Sequence, residues 1–385
     1  MSTLFVRGVG ESRPFYFFTM EIKINRKALI DALAVGGSLS GRNKTLPILE
    51  CIKLAFSGRH LMVSSMDGES AIVRRVALET EAAGTYCVHG ADFIKVIRSI
   101  KEAEVILRFK EHCIEICYER GGIELPLWGV EAFPILPKSE PLAVVTLSTS
   151  SLYRWVSHAK DFVGTDELRP VLSGMYLYID GNELGICATN SHKLFTDYTH
   201  FENSEGVKTG IIIPSKVFGS LLSVLGESES VLMTVDSRNV TFAAGDAKIS
   251  CRLIEGNYAN FKQILPRESK STITVGKKEL MDAVNRVALC ANAATSMIKL
   301  SIDGSILTVK GEDMDFSKLA EESFSVLHSG DNATIGLKAD YLLTLLASVE
   351  ADSIAIEISD ERKPIVIKDS ANPTTTLLMM PMLLA

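Results

Sequence analysis

The chain has 385 residues, 46% hydrophobic and 23% charged, with a formal net charge of −7; this is ordinary globular material, long enough for about two to four domains and neither disordered nor fibrous. No apolar run approaches the roughly 20 residues that cross a bilayer, and an acidic balance argues against gripping nucleic acid by bulk charge. Seven scattered cysteines, an odd number in a large chain, argue against a disulfide framework and for the reducing cytoplasm.

Residues 1–19 stand outside any regular pattern. They hold Arg7, Arg13 and the cluster Phe15-Tyr16-Phe17-Phe18, without the apolar core or small-residue cleavage site of a secretory signal. A mis-called start or a floppy tail is expected, with Met20 as the alternative first residue. From there Glu21-Ile22-Lys23-Ile24 alternates as a strand, and Leu29 and Leu33 predict a short amphipathic helix over 25–34. Leu54-Ala55-Phe56-Ser57-Gly58, continued in register by Leu61 and Val63, reads as hairpin strands. A second helix marked by Phe93 follows over 91–101. In the strand around 112–118, Cys113 and Cys117 share one face. No second Cys or His pair stands at zinc spacing, so a buried structural role is expected and no metal.

The same text then begins again, twice. Val145-Thr146-Leu147 and Thr272-Ile273-Thr274-Val275 are the next opening strands. Leu152 and Val156, then Leu280, Val284 and Val287, mark the following helices. Leu177-Tyr178-Ile179-Asp180-Gly181 with Leu184 and Ile186 is matched by Leu300-Ser301-Ile302-Asp303-Gly304 with Leu307 and Val309. Gly58, Gly181 and Gly304 are 123 residues apart both times. The second-helix markers Phe93, Val217 and Tyr341 are 124 apart, within 91–101, 215–225 and 339–349. The chain is therefore read as an α+β protein of three tandem copies over 20–141, 142–267 and 268–385, each two strand–helix–strand halves.

The helices bury one face and leave the other free. Over 25–34, 90–101, 150–160, 215–225, 277–290 and 339–349 there are eleven Lys/Arg against five Asp/Glu, whereas the whole chain has 40 against 47. Arg26, Lys27, Lys95, Arg98, Lys101, Arg154, Lys160, Lys216, Lys277, Lys278 and Arg286 supply the bases. A basic helical surface on an acidic body would guide a polyanion without gripping it. Lysines also decorate any solvated helix face, and the sixth helix has no base; the residues alone leave both readings open.

Larger motifs identify a resemblance. Thr45-Leu46-Pro47-Ile48-Leu49, Arg169-Pro170-Val171-Leu172-Ser173-Gly174, Ala188-Thr189-Asn190-Ser191-His192-Lys193-Leu194, Glu255-Gly256-Asn257-Tyr258-Ala259-Asn260-Phe261 and the ending Met379-Met380-Pro381-Met382-Leu383-Leu384 resemble the bacterial DNA polymerase III beta subunits, the sliding clamps, over about residues 20–385. The resemblance implies three copies of the DNA-clamp fold, closing as a head-to-tail homodimer into a six-domain ring around duplex DNA. Arg42 matches a family position close to the DNA, and in such a ring Lys95, Arg98, Arg154 and Lys277 would face it without reading sequence. Ala91 and Asp92 depart from the bases expected at the start of the second helix.

The resemblance also implies a hydrophobic cleft between the second and third copies. Peptides of the polymerase III catalytic subunit, the clamp loader, other polymerases and repair proteins would dock there. Leu172, Thr189, His192, Lys193 and Leu194 would form one wall with Ile264 beside them, and Leu378, Met379, Met380, Pro381 and Met382 would come from the tail. Without the family, Leu378–Leu384 reads as a last buried strand and a frayed end. Ala259 replaces a usual proline, Gln263 a common base, and Asn190-Ser191 the more usual Asp-Gly. For the dimer, Ile123 and Leu125 would meet Leu289 and Cys290 of a second copy.

An enzyme reading fails. Ser191-His192 are adjacent without a Gly-x-Ser-x-Gly elbow, and no glycine loop ends in Gly-Lys-Ser/Thr. The expectation is a non-catalytic processivity factor of the DNA polymerase III holoenzyme, without cofactor, loaded by a separate ATP-driven machine. The alternatives are a divergent accessory clamp and a β-rich scaffold that never encircles DNA.

Overall fold

The computed structural model describes residues 20–134, 140–201, 206, 208–226, 228–266 and 268–384; the extension at 1–19 lies outside them. Six α-helices occur among these residues: α1 Arg26–Gly36, α2 Gly90–Ser99, α3 Thr149–Ala159, α4 Phe218–Leu225, α5 Lys277–Ala288 and α6 Ala339–Ala347. They fall where the apolar spacing puts them, two per copy. The first turn expected for the fourth helix is a separate 3-10 turn, Ser215–Val217, behind Pro214. The opening strands are Met20–Asn25, Ala143–Ser148 and Ser271–Gly276.

The described residues to 134, with Ala243–Ser250, form one compact unit, and the second and third copies share the other. In the first unit, Asn25 ends the opening strand and caps α1, its Oδ1 accepting the Ala28 N–H at 3.0 Å. Leu29 and Leu33 of α1 and Phe93 and Ile97 of α2 bury against Ile22, Leu54, Leu61 and Phe109 of the sheet. Gly36 permits the close approach of helix to sheet, since a Cβ there would lie 2.3 Å from the Val63 carbonyl oxygen.

Gly58, Gly181 and Gly304 all take left-handed φ, of 57°, 61° and 58°, a conformation nearly free only for glycine. In the second and third copies the glycine separates two strands: Gly174–Asp180 from Glu183–Thr189, and Met297–Asp303 from Ile306–Asp313. In the first, Cys51–Met66 runs on through Gly58 with only a register break between Gly58 and His60. The long neighbour Ser70–His89 pairs with both arms there, Gly58 opposite Ala82 and His60 opposite Ala77, so the ladder resumes after an irregularity instead of ending at the bend.

In the second unit a nine-stranded sheet joins the two copies. Its order is Thr209–Pro214, Gly174–Asp180, Glu183–Thr189, Lys193–His200, Thr376–Met379, Ile365–Asp369, Ser353–Ile358, Ser271–Gly276 and Leu327–Gly330. The C-terminal strand Thr376–Met379 lies between the second copy's Lys193–His200 and the third copy's Ile365–Asp369. Helix pairs α3/α4 and α5/α6 pack within their copies.

Candidate partner-binding cleft

The strand Glu183–Thr189 turns back into Lys193–His200 through Asn190, Ser191 and His192. Asn190 Oδ1 accepts the backbone N–H groups of His192 and Lys193 at 3.0 and 2.9 Å, a side chain standing in for a backbone turn. Thr189 Oγ1 donates to the Lys193 carbonyl at 2.7 Å and accepts the Ser191 N–H at 3.1 Å. Ser191 is held at φ 77°, where a Cβ is disfavoured. Arg169 fastens this corner, donating to Ser191 Oγ at 2.8 Å and Asp166 Oδ2 at 2.9 Å. Leu172, in the 3-10 turn Pro170–Ser173, is buried, and its carbonyl accepts the Gly164 N–H at 2.7 Å.

The tail crosses from copy to copy. Leu378 pairs with Leu194 and Met379 with Lys193. Beyond the strand, the Met380 N–H donates to the His192 carbonyl and the Met382 N–H to the Gly336 carbonyl, both at 2.8 Å. Residues 378–382 are thus the seam of the two copies.

Pleating splits the expected cleft residues between the two faces of the sheet. On one face Leu194 and Leu378 close a cluster with Tyr178, Cys187 and Phe261, flanked by Met380, Tyr176 and Tyr258. On the other, the buried Lys193 places its ammonium 5.3 Å from the Phe162 ring, 5.1 Å from the Tyr341 ring and 3.5 Å from Thr344 Oγ1. Burial holds the Lys193 pKa below the usual lysine value. His192 is exposed and stacks over Tyr341 at 6.1 Å. Ile264 is 44% exposed, Met380, Pro381 and Met382 are half-buried, and Leu172, Thr189, Leu194, Leu378 and Met379 are closed over. An incoming chain could touch His192, Ile264, Met380, Pro381 and Met382; the closed-over side chains support them. The aromatic frame was missed by the reading of the sequence: Tyr258, whose Oη accepts the Thr189 N–H at 3.1 Å, together with Phe162, Tyr176 and Tyr341. Tyr176 and Tyr178 two apart announce a shared face; nothing local announces Phe162.

The bases divide into two kinds. Lys95 and Arg98 are exposed on α2 and form no ion pair among the described residues; Arg42 is exposed in its loop. Arg154 is committed: Nη2 meets the buried Asp197 at 2.6 Å and Nη1 donates to Asn372. Asp197 also accepts from Trp155 Nε1 at 2.8 Å and Thr374 Oγ1 at 2.7 Å. Lys277 donates to the Val349 carbonyl beyond α6 at 2.9 Å, tying α5 to α6.

Ile123 and Leu125 are half-buried on the strand Gly121–Trp128. Its residues Gly121–Pro126 pair with Cys113–Tyr118, and the opposite flank is paired only at Leu127 and Trp128, leaving an open edge among the described residues. Lys318–Ser325 is likewise the last strand of its four-stranded sheet. Leu289 is 78% exposed just beyond α5, with Cys290 half-buried next to it. Cys113 and Cys117 are half-buried, and Arg108 donates to Cys117 Sγ at 3.4 Å.

Three family models match in order: the DNA polymerase III beta subunit N-terminal domain over 20–137, its central domain over 146–260 and its C-terminal domain over 262–383. The chain belongs to the DNA polymerase III beta subunit family. Among its relatives, the beta sliding clamp of Pseudomonas aeruginosa is 23% identical over 366 residues, 94% of this chain and 100% of that one. That of Staphylococcus epidermidis is 25% identical over 374 residues, 94% of this chain and 99% of that one. A solved Pseudomonas aeruginosa DnaN sliding clamp bound to griselimycin has the same fold, with a TM-score of 0.91, 23% identity and coverage of 95% and 100%. The C. crescentus clamp follows at 0.88, with 24% identity and coverage of 95% and 99%. In the frame of the beta subunit family the corner at 189–194 and the tail at 378–382 meet in the space between the central and C-terminal domains.

Proposed function

We propose that this chain is a DNA sliding clamp, a non-catalytic processivity factor that encircles duplex DNA and tethers the replicative polymerase through the cleft at the tail. The observation that carries the reading is the ordered run of three beta-subunit domains, supported by a tail that runs as a strand between the second and third. Two open strand edges, Gly121–Pro126 and Lys318–Ser325, suit a head-to-tail contact between copies, with Ile123 and Leu125 near Leu289 and Cys290. Such a contact closes only when its rotation does.

Tethering works by topology, so phosphate contacts can stay weak and sequence-independent. The exposed Arg42, Lys95 and Arg98 suit that role; Arg154 and Lys277 would add field while serving the fold. The half-buried methionines at 380 and 382 give an adaptable apolar surface that several partners can share. Docked partners gain effective concentration on the template. The polymerase III catalytic subunit, the clamp loader and repair proteins are the expected cytoplasmic partners. Ser191 in a left-handed corner and Ala259 beside the cleft favour, as a second reading, an accessory clamp with altered partner preference.

The test is negative-stain microscopy of the purified chain with a peptide-binding assay. Closed six-lobed rings, and loss of peptide binding in a Leu172→Asp, Met380→Asp variant that still forms them, are expected. Open chains of subunits would remove the tethering mechanism.

A further inference from the structure

Beyond the segment 258–262, on the same face of the sheet as Leu194 and Leu378, lies a cavity of about 440 Å³. Such a volume is in the range of small-ligand sites, roughly 300–1,000 Å³. Its floor is aromatic: Tyr176 and Tyr258 stack at 4.9 Å with planes 6° apart, and Tyr178 follows at 5.8 Å from Tyr176. The rings lie over glycines. A Cβ at Gly210 would come within 2.3 Å of Tyr176 Oη, and one at Gly185 within 2.4 Å of Tyr178 Oη. This arrangement covers the sheet yet leaves ring faces and edges lining an opening, where aromatic partners prefer to pack.

Two further observations define the occupant. Lys262 is 3.0 Å from Glu183, and Lys208 is 3.3 Å from Asp180. Each base at the rim is thus offset by a carboxylate, and a polyanion finds no net positive field. The strand Thr209–Pro214 is the outermost of its sheet. Its Ile212 carbonyl accepts the Ile254 N–H at 2.9 Å on the outer flank. By the two-residue period, Gly210, which lines the cavity, presents its own N–H and C=O on that flank. The cavity also shares a wall with the cleft, because Tyr178 and Phe261 pack in one cluster with Leu194 and Leu378, flanked by Tyr176, Tyr258 and Met380.

We propose that this cavity is a second anchor for cleft-bound peptides, taking an aromatic side chain of an extended segment whose main chain adds to the strand edge at Gly210. The inference deepens the cleft reading and rests on it for the peptide's other anchor. The neutral rim and a backbone edge left open among the described residues select a polypeptide over a nucleic acid.

A phage-displayed library of linear peptides panned on the intact chain supplies the probe, and the tightest binder is synthesised with a fluorescein label. Lys262→Trp fills the cavity, since the Lys262 ammonium already lies 4.8 Å from the Tyr178 ring centre; Tyr176→Leu removes the platform, and Met380→Asp damages the cleft. The expected result is an aromatic residue in the probe and a loss of roughly tenfold in affinity on Lys262→Trp. Changing that aromatic residue to alanine should cost a similar factor on the parent chain and little more on Lys262→Trp, a coupled cycle. Binding to both Lys262→Trp and Tyr176→Leu within about twofold of the parent overturns the proposal, as does panning that returns only peptides insensitive to Lys262→Trp. If Met380→Asp binds normally while Lys262→Trp does not, the aromatic site stands and the cleft reading fails.

Discussion

Lys193 and Ser191 each hold a conformation or charge that their own chemistry resists. Replacing Lys193 by Met keeps the volume between Phe162 and Tyr341 and removes a buried charge, which should stabilise the chain by about 1 kcal/mol at neutral pH. An unfolded lysine keeps its proton up to 10.5, whereas the folded Lys193 loses it at lower pH. Between those two values the unfolded chain binds more protons, so the native contribution rises with pH. Below both values the penalty is complete. Urea titrations across that window should show the rise in the parent and not in Lys193→Met. Ser191→Gly relieves a left-handed φ but frees the unfolded chain, so a gain of at most about 1 kcal/mol is expected. A clear drop in melting temperature would mean that the Arg169 contact outweighs the strain.

Helix α3 carries a base whose effect separates from those of α2. Reversing Lys95 and Arg98 to Glu should weaken retention on DNA with stability unchanged, since neither forms an ion pair among the described residues. Arg154→Glu should instead cost on the order of 3 kcal/mol of stability, because it leaves Asp197 buried without its cation; calorimetry on the variants checks both. The helix positions were legible because 3.6-residue apolar spacing survives in each copy, and the strand openings because alternation does. Gly58 was legible as a bend but not as a bend within an unbroken strand, which depends on the 20-residue partner Ser70–His89. Motif matching placed Lys193 beside Leu194 in one wall. Pleating put them on opposite faces, as it does for any two adjacent residues of a strand; what the residues did not show is that the tail strand Thr376–Met379 closes the Leu194 face. The commitment of Arg154 to Asp197 and Asn372 joins residues far apart in sequence, which periodicity does not encode.

At the scale of the whole molecule, the proposed ring would give the three repeats and the two strand edges left open among the described residues a common purpose, since a ring would hold DNA by closure. The most direct test loads the chain with a clamp loader and ATP onto nicked circular DNA, then cuts the circle once. The expected result is that the chain stays with the intact circle through gel filtration at high salt and leaves within minutes of linearisation, because it slides off the ends. Equal retention on circular and linear DNA, or equal loss from both, would contradict it.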